Sequence, residues 1–325
     1  MRDVSGTEDQ AAHHVLMVRP ARFAGNAQTA ASNRFQRLGA DSTSLEAHVG
    51  AVAEFDGLVG ALRHNGVRVV VVDDTPHPAT PDAVFPNNWV SFHADGTAVL
   101  YPMLAPNRRL ERRRDILETL VDEHGFRLDE VVDLTHGERE GRFLEGTGSL
   151  VLDRRNRIAY ACLSPRTDPA MLAEFGQRLG YEPVSFAAVD PAGLPVYHTN
   201  VMLSVGDRFA AVCTESIVEV DRGRVLGTLR STGHEVVELT MAQMGSFAGN
   251  LLELKGEEEK PLVVLSAAGL ASLDGGQLDA FQRLGLACVA APLGTIERLG
   301  GGSARCMIAE IHLPRRSPGG SYGVP

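Results

Sequence analysis

The chain passes about five times, at roughly sixty-residue intervals, from short paired strand-like runs to a single helical stretch and back. That alternation constrains the fold most, because repeated strand and helix units in one chain build a mixed α/β architecture. The units share no strong sequence identity and their spacing is uneven. Residues 14–18, 67–72, 97–101, 149–152 and 157–161 read as strands, being apolar or β-branched and bounded by Pro, Gly or Asp. The series continues with 196–205, 208–213, 236–239, 250–254, 262–265 and 306–311. Helical periodicity is expected over 44–63, 107–123, 169–179 and 278–284. In the first of these Leu45, Val49, Val52, Phe55, Val59 and Leu62 form the expected apolar face, with Glu46, Glu54 and Asp56 toward solvent and Gly66 as the left-handed cap.

The polar joints at 76–81, 135–141 and 256–260 are too short to be flexible linkers, so one domain over 13–314 is expected, with tails at 1–12 and 315–325. The glycine-rich run 318–323 has no apolar period and reads as partly disordered. A formal net charge of -10 removes the electrostatic condition for nonspecific nucleic-acid binding. The basic cluster 108–114, interrupted by Glu111, reads as a solvated helix face. Residues 1–10 contain no apolar signal core, and no run of eighteen apolar residues occurs, so no membrane association and a cytoplasmic location are expected. Cys162, Cys213, Cys288 and Cys306 show no CxxC spacing, which argues against a metal site; the first three sit at the ends of apolar runs and read as core residues.

Cys306 differs, because it follows the run Gly300-Gly301-Gly302-Ser303 and precedes a strand-like segment. A thiolate at such a turn can attack an electron-poor carbon, and an inert buried thiol is the alternative. His198 and Asn200, two residues apart, would face one ligand if the segment is extended, and a histidine can protonate a leaving nitrogen and then activate water. Glu145 stands before Gly146-Thr147-Gly148, where the backbone can approach a ligand closely. Asn87 and Asn88, flanked by Phe85 and Trp89, offer amide donors and acceptors suited to a neutral polar ligand, or else an Asx turn. Arg19, Asn26, Thr29, Asn33 and Gln36 belong to a substrate-facing loop or to turns and caps.

In order, Arg19-Pro20, Phe85-Pro86-Asn87-Asn88, Glu145-Gly146-Thr147-Gly148, His198-Thr199-Asn200 and Gly301-Gly302-Ser303-Ala304-Arg305-Cys306-Met307 resemble the guanidino-group modifying enzyme superfamily. That superfamily includes arginine deiminases, dimethylarginine dimethylaminohydrolases and amidinotransferases, and the nearest likeness is to the amidinotransferase-like, citrulline-utilisation hydrolase branch. The resemblance implies a five-bladed α/β propeller of ββαβ units around a central channel, with Cys306 as nucleophile, His198 as general acid and base, and Glu145 as the assisting carboxylate. It implies no metal and no cofactor, a small amino-acid substrate, and Asn87, Asn88, Asn200, Arg19, Asn26 and Arg305 as substrate-binding candidates, with Arg19, Arg108, Arg109, Arg142 and Arg305 all possible partners for the substrate carboxylate. A homodimer is the default assembly for a soluble enzyme.

Many deiminases carry aspartates where this chain has Asn88 and Asn200, and an arginine where it has Asn87. Two missing carboxylates weaken binding of a cationic guanidinium, since each charge-assisted bond is worth about 1.5–3 kcal/mol. The expectation is therefore hydrolysis of a citrulline-like ureido group to ornithine, carbon dioxide and ammonia. The alternatives are arginine deiminase or dihydrolase, dimethylarginine dimethylaminohydrolase, amidinotransferase, and a non-catalytic binding propeller.

Overall fold

The computed structural model describes residues 8–316 and 324, so the glycine-rich run 318–323 lies outside the described residues. Among these, fifteen strands form five three-stranded sheets with one repeated pattern. An inner strand pairs antiparallel with a middle strand, which pairs parallel with an outer strand reached through a helix. Val90–Phe92, Thr97–Leu100 and Glu130–Asp133 make one sheet, and Val151–Asp153, Ile158–Cys162 and Glu182–Phe186 the next. Leu203–Val205, Phe209–Val212 and Glu235–Glu238 follow, then Leu252–Lys255, Pro261–Ser266 and Ala287–Ala291. In the fifth sheet the inner strand Ala309–Ile311 comes from the end of the chain and pairs with His14–Arg19 near its start, beside Arg68–Asp73. The two ends thereby close the ring, and the architecture is the five-bladed α/β propeller that the family resemblance implies.

Burial follows from this layout. Four of the five inner strands are buried at every position and the other leaves only Lys255 half-buried, whereas outer strands such as Arg68–Asp73, Glu130–Asp133 and Glu235–Glu238 bury one residue each among half-buried and exposed ones. Apolar side chains fill the spaces between sheets and helices, for example Phe55, Leu58 and Leu62 against Val15, Val264 and Ile296. The helix Leu45–His64 buries Ala47, Ala51, Phe55, Leu58, Val59 and Leu62, while Leu45 and Val49 are exposed. The buried stripe is rotated from the expected one because small alanines face the close-packed sheet. Glu54 also leaves the solvent face, accepting from the Thr295 and Ile296 N–H groups. Gly66 takes the expected left-handed conformation, φ 82°.

Three expected continuous elements are broken, two of them at the inner strands. Residues 196–205 contain the 3-10 turn Thr199–Val201 before the strand Leu203–Val205, and 306–311 begin inside the turn Ala304–Met307. The expected helix 107–123 is a 3-10 segment, Pro106–Glu111, followed by the helix Arg114–Asp122. In each case the break turns polar side chains toward the central channel. The outer strands Glu130–Asp133, Glu182–Phe186 and Ala287–Ala291 and the helix Glu219–Ser231 escaped the periodicity reading. Their alternation is blurred by charged or small residues.

The far end of the channel is filled by residues 8–12. Gln10 Nε2 donates to Leu152 O and Val205 O, both at 2.9 Å, and its Oε1 accepts from Arg154 N. Glu8 pairs with Arg154 at 2.7 Å, and Arg154 lies 3.9 Å from Glu310 on the last inner strand. No helix among the described residues is long and apolar enough to cross a membrane.

Candidate active site

The near end of the channel collects one short turn from each sheet, immediately before its inner strand. These turns carry Asn87 and Asn88, Glu145 with Gly146-Thr147-Gly148, His198 with Asn200, Asn250, and Cys306. Ring closure thus brings together residues up to about 220 positions apart. Close packing of the turns depends on Gly148, where a Cβ would come within 2.5 Å of Asn88 Nδ2 and 2.6 Å of His198 Nδ1.

Glu145 is fully buried and organises one side of the site. Its Oε2 lies 2.9 Å from His198 Nε2 and 3.3 Å from Arg166 Nη1, while Oε1 accepts from the Leu104 N–H at 3.0 Å. Burial alone would raise this carboxyl, but Arg166, the His198 hydrogen bond and Arg108 together hold it well below the usual carboxylate range. For His198 burial dominates, pulling the imidazole down to about 4 against the opposing pull of Glu145. A neutral imidazole beside an ionised carboxylate donates from Nε2 and leaves Nδ1 as the free base.

Cys306 Sγ is buried 3.3 Å from Asn250 Nδ2 and 3.5 Å from Asn200 Nδ2. Burial pushes the thiol up, while the Ser303 backbone, Asn250, the Arg305 charge and Asn200 pull it down. The resting state therefore pairs a neutral thiol with a neutral imidazole. Cys306, His198, Asn88, Arg108, Arg166 and Asp82 border one narrow cavity whose walls leave space for about one water molecule.

The cavity also holds polar groups of another kind. Arg108 is clamped by Glu111 through two 2.9 Å bonds, donates to Asn88 Oδ1 at 2.8 Å, and lies 3.7 Å from Asp82. Arg166 stacks over the Tyr197 ring at 5.1 Å and donates to Ser32 Oγ at 2.8 Å. Asp82 Oδ2 accepts from Asn26 Nδ2 at 2.8 Å, but its Oδ1 is buried without a hydrogen-bond partner, as is Asn87 Nδ2. Burial raises the Asp82 carboxyl despite Arg108.

Cys306, His198, Glu145, Asn87, Asn88 and Asn200 therefore gather at one mouth. His198 and Asn200 do so through a turn, and not along an extended strand as expected. Asn26 stands behind Asp82 and supports it. Two candidates are corrected. Arg19 is a surface residue held by Asp56 through two 2.8 Å bonds, because the strand end points it outward. Arg305 is buried, but its guanidinium turns along the channel to Glu310 at 2.9 Å and Ile308 O at 3.0 Å and does not border the cavity. Arg108, read as part of a solvated helix face, is only 2% exposed. Arg166, Asp82 and Asn250 were missed. For Asn250 a signal existed, since Gly249-Asn250-Leu251 repeats the small-polar-apolar order of Thr199-Asn200-Val201.

The solved structure of ArgZ, an arginine dihydrolase from the ornithine-ammonia cycle in cyanobacteria, matches with TM-score 0.72 and 16% identity over 93% of this chain. This chain spans 41% of that protein, but 99% of its separately solved N-terminal domain bound to product, with TM-score 0.70, 16% identity and 93% of this chain covered. A dimethylarginine dimethylaminohydrolase variant in adduct with S-methyl-L-thiocitrulline matches with TM-score 0.62 and 14% identity, over 92% of this chain and all of that one. At these identities the likeness is one of fold. A sequence search finds no match among curated proteins. Residues 19–313 match the family described as N,N dimethylarginine dimethylhydrolase, eukaryotic, so this chain belongs to that family, within the guanidino-group modifying superfamily.

Proposed function

We propose that this protein hydrolyses the guanidino group of a small arginine-like amino acid through a covalent adduct on Cys306. The observation carrying this reading is the shared cavity, which sets a buried thiol, a histidine backed by an ionised carboxylate, and the charged side chains of Arg108, Arg166 and Asp82 around one small space. Arg108 and Arg166 suit a substrate carboxylate, and the unpartnered Oδ1 of Asp82 suits its α-amine.

The Cys306 thiol passes its proton to His198 and its sulfur attacks the guanidinium carbon, giving a tetrahedral adduct. His198 returns that proton to the departing amine, leaving a thiouronium on sulfur. Water then adds to the same carbon, with His198 taking one proton, and the adduct collapses to a ureido product and free thiol. Glu145 holds the imidazole and stabilises its charged form when it carries the proton.

A second reading is favoured by Asn88, a neutral amide bordering the cavity, and by Asn200, a neutral amide 3.5 Å from the Cys306 sulfur, where carboxylates would suit a guanidinium. A neutral ureido group suits such a surround, so the product can react again, releasing ornithine, carbon dioxide and a second ammonia. The citrulline-only activity expected from the residues is a restricted form of this reading, and arginine-type chemistry has the better support from the family match.

The test is incubation with arginine, monomethylarginine, dimethylarginine and citrulline separately, without added amine, followed by quantification of amino acids and released amines. Consumption that disappears in Cys306→Ala supports the reading. Wild-type protein inert toward all four, or active only with an added acceptor amine, overturns it.

A further inference from the structure

Asn250 enters the site from the fourth sheet, on the loop between Met241–Gly245 and Leu252–Lys255. Gly249 lets this loop lie against the neighbouring turn, since a Cβ there would come within 2.6 Å of Val201 O. The Asn250 amide is then fixed from two sides. Its Oδ1 accepts the Arg305 N–H at 3.1 Å, and one Nδ2 hydrogen goes to Asn200 O at 2.8 Å. Among the described residues the remaining hydrogen has one partner, Cys306 Sγ at 3.3 Å, while the protonated sulfur can donate to Asn250 Oδ1 at the longer distance of 3.6 Å. Asn250 is wholly buried and does not border the substrate cavity.

We infer that the Asn250 amide holds Cys306 Sγ in its attacking position and stabilises the negative charge that the sulfur acquires. Asn250 ties three things together, the nucleophile, the backbone N–H before it, and the backbone carrying Asn200. The Asn200 amide is the weaker partner at 3.5 Å, and among the described hydrogen bonds it has only the sulfur as its side-chain partner. The amide of Asn250 cannot reverse without facing its oxygen to Asn200 O and its N–H to the Arg305 N–H, which sets the direction of the donor. As a neutral donor outside the cavity, Asn250 acts on the sulfur and leaves substrate contacts unchanged.

The inference rests on Cys306 being the nucleophile, and its test reads the thiol directly. The rate of Cys306 alkylation by iodoacetamide, followed by peptide mass spectrometry across pH, is compared in wild type, Asn250→Asp and Asn250→Ala. Asn250→Asp keeps the size and the acceptor for Arg305 N–H but replaces the donor by an anion, so Asn250→Ala, which removes the donor without adding charge, decides between the two causes. The alkylation midpoint is expected to rise by about one pH unit or more in both variants. With a substrate that turns over, kcat falls about tenfold or more while KM stays within about twofold. Folded variants with an unshifted midpoint overturn the inference. Unfolding of both, seen by circular dichroism, also overturns it in favour of a purely structural role. If wild type turns over no guanidino or ureido substrate, the proposed function fails while the midpoints still decide the role of Asn250.

Discussion

Glu145 Oε2 accepts from His198 Nε2 at 2.9 Å, with both side chains buried, so a carboxylate from the second sheet sets the tautomer of a histidine from the third. The same oxygen lies 3.3 Å from Arg166 Nη1, which keeps Glu145 ionised when the substrate enters. Glu145→Gln keeps the shape and removes the charge. Its kcat is expected to fall about a hundredfold or more, because the imidazolium formed during proton transfer loses its counter-charge. Steady-state kinetics checked against circular dichroism measure this.

In the proposed reaction His198 serves both halves, first as proton donor to the leaving amine and then as base for water. In His198→Ala, turnover should be lost, and intact-protein mass spectrometry should show a Cys306 adduct persisting with a substrate whose leaving group needs little protonation. Because the thiol has also lost its proton acceptor, the adduct is sought at alkaline pH, where the sulfur ionises unaided, and an unmodified protein there counts against covalent chemistry at Cys306.

Asn200 Nδ2 stands 3.5 Å from the Cys306 sulfur, the proposed nucleophile. Asn200→Asp adds an anion beside the reacting carbon, favouring a cationic guanidinium over a neutral ureido group. The ratio of kcat/KM for arginine to that for citrulline should rise about tenfold or more. A ratio unchanged by the substitution would place substrate discrimination elsewhere in the pocket.

Burial holds His198 and His93 down to about 4 from 6.5. Their folded forms bind protons less readily than the unfolded chain, so the stability they contribute is fully present above about 6.5 and is lost as pH falls toward 4. Each contributes on the order of 3 kcal/mol. Thermal unfolding should therefore show Tm dropping across that window, and His93→Gln should flatten the drop.

Gln10 closes the far end of the channel with three hydrogen bonds to backbone groups of two sheets. Gln10→Ala strands these buried groups, and the expected loss is about 1–3 kcal/mol in chemical denaturation, with no change in KM.

Legibility differed sharply between residues. Cys306, His198 and Glu145 could be found because each interrupts an apolar stretch with polar or glycine residues just before a strand. Arg108, Arg166 and Asp82 lie in loops and a basic run, where a charged side chain is ordinarily solvated, and no periodicity separates a buried arginine from an exposed one. The error at Leu45 and Val49 has the same root, since periodicity finds a stripe but not which edge of it meets the sheet.

The order of residues established the repeated α/β units and the chemical kinds of side chain at the ends of the inner strands. Those are local properties, encoded in spacing, turn chemistry and apolar runs. Which polar groups meet was decided only when the final strand, Ala309–Ile311, paired with His14–Arg19 and closed the ring. Closure is a long-range event that sets Arg108 beside Asn88 and Asp82, brings Arg166 to Glu145, and carries the Asn250 amide to the sulfur of Cys306. The cost of burying each charge without a partner selects those pairings, and the partners come from distant parts of the chain.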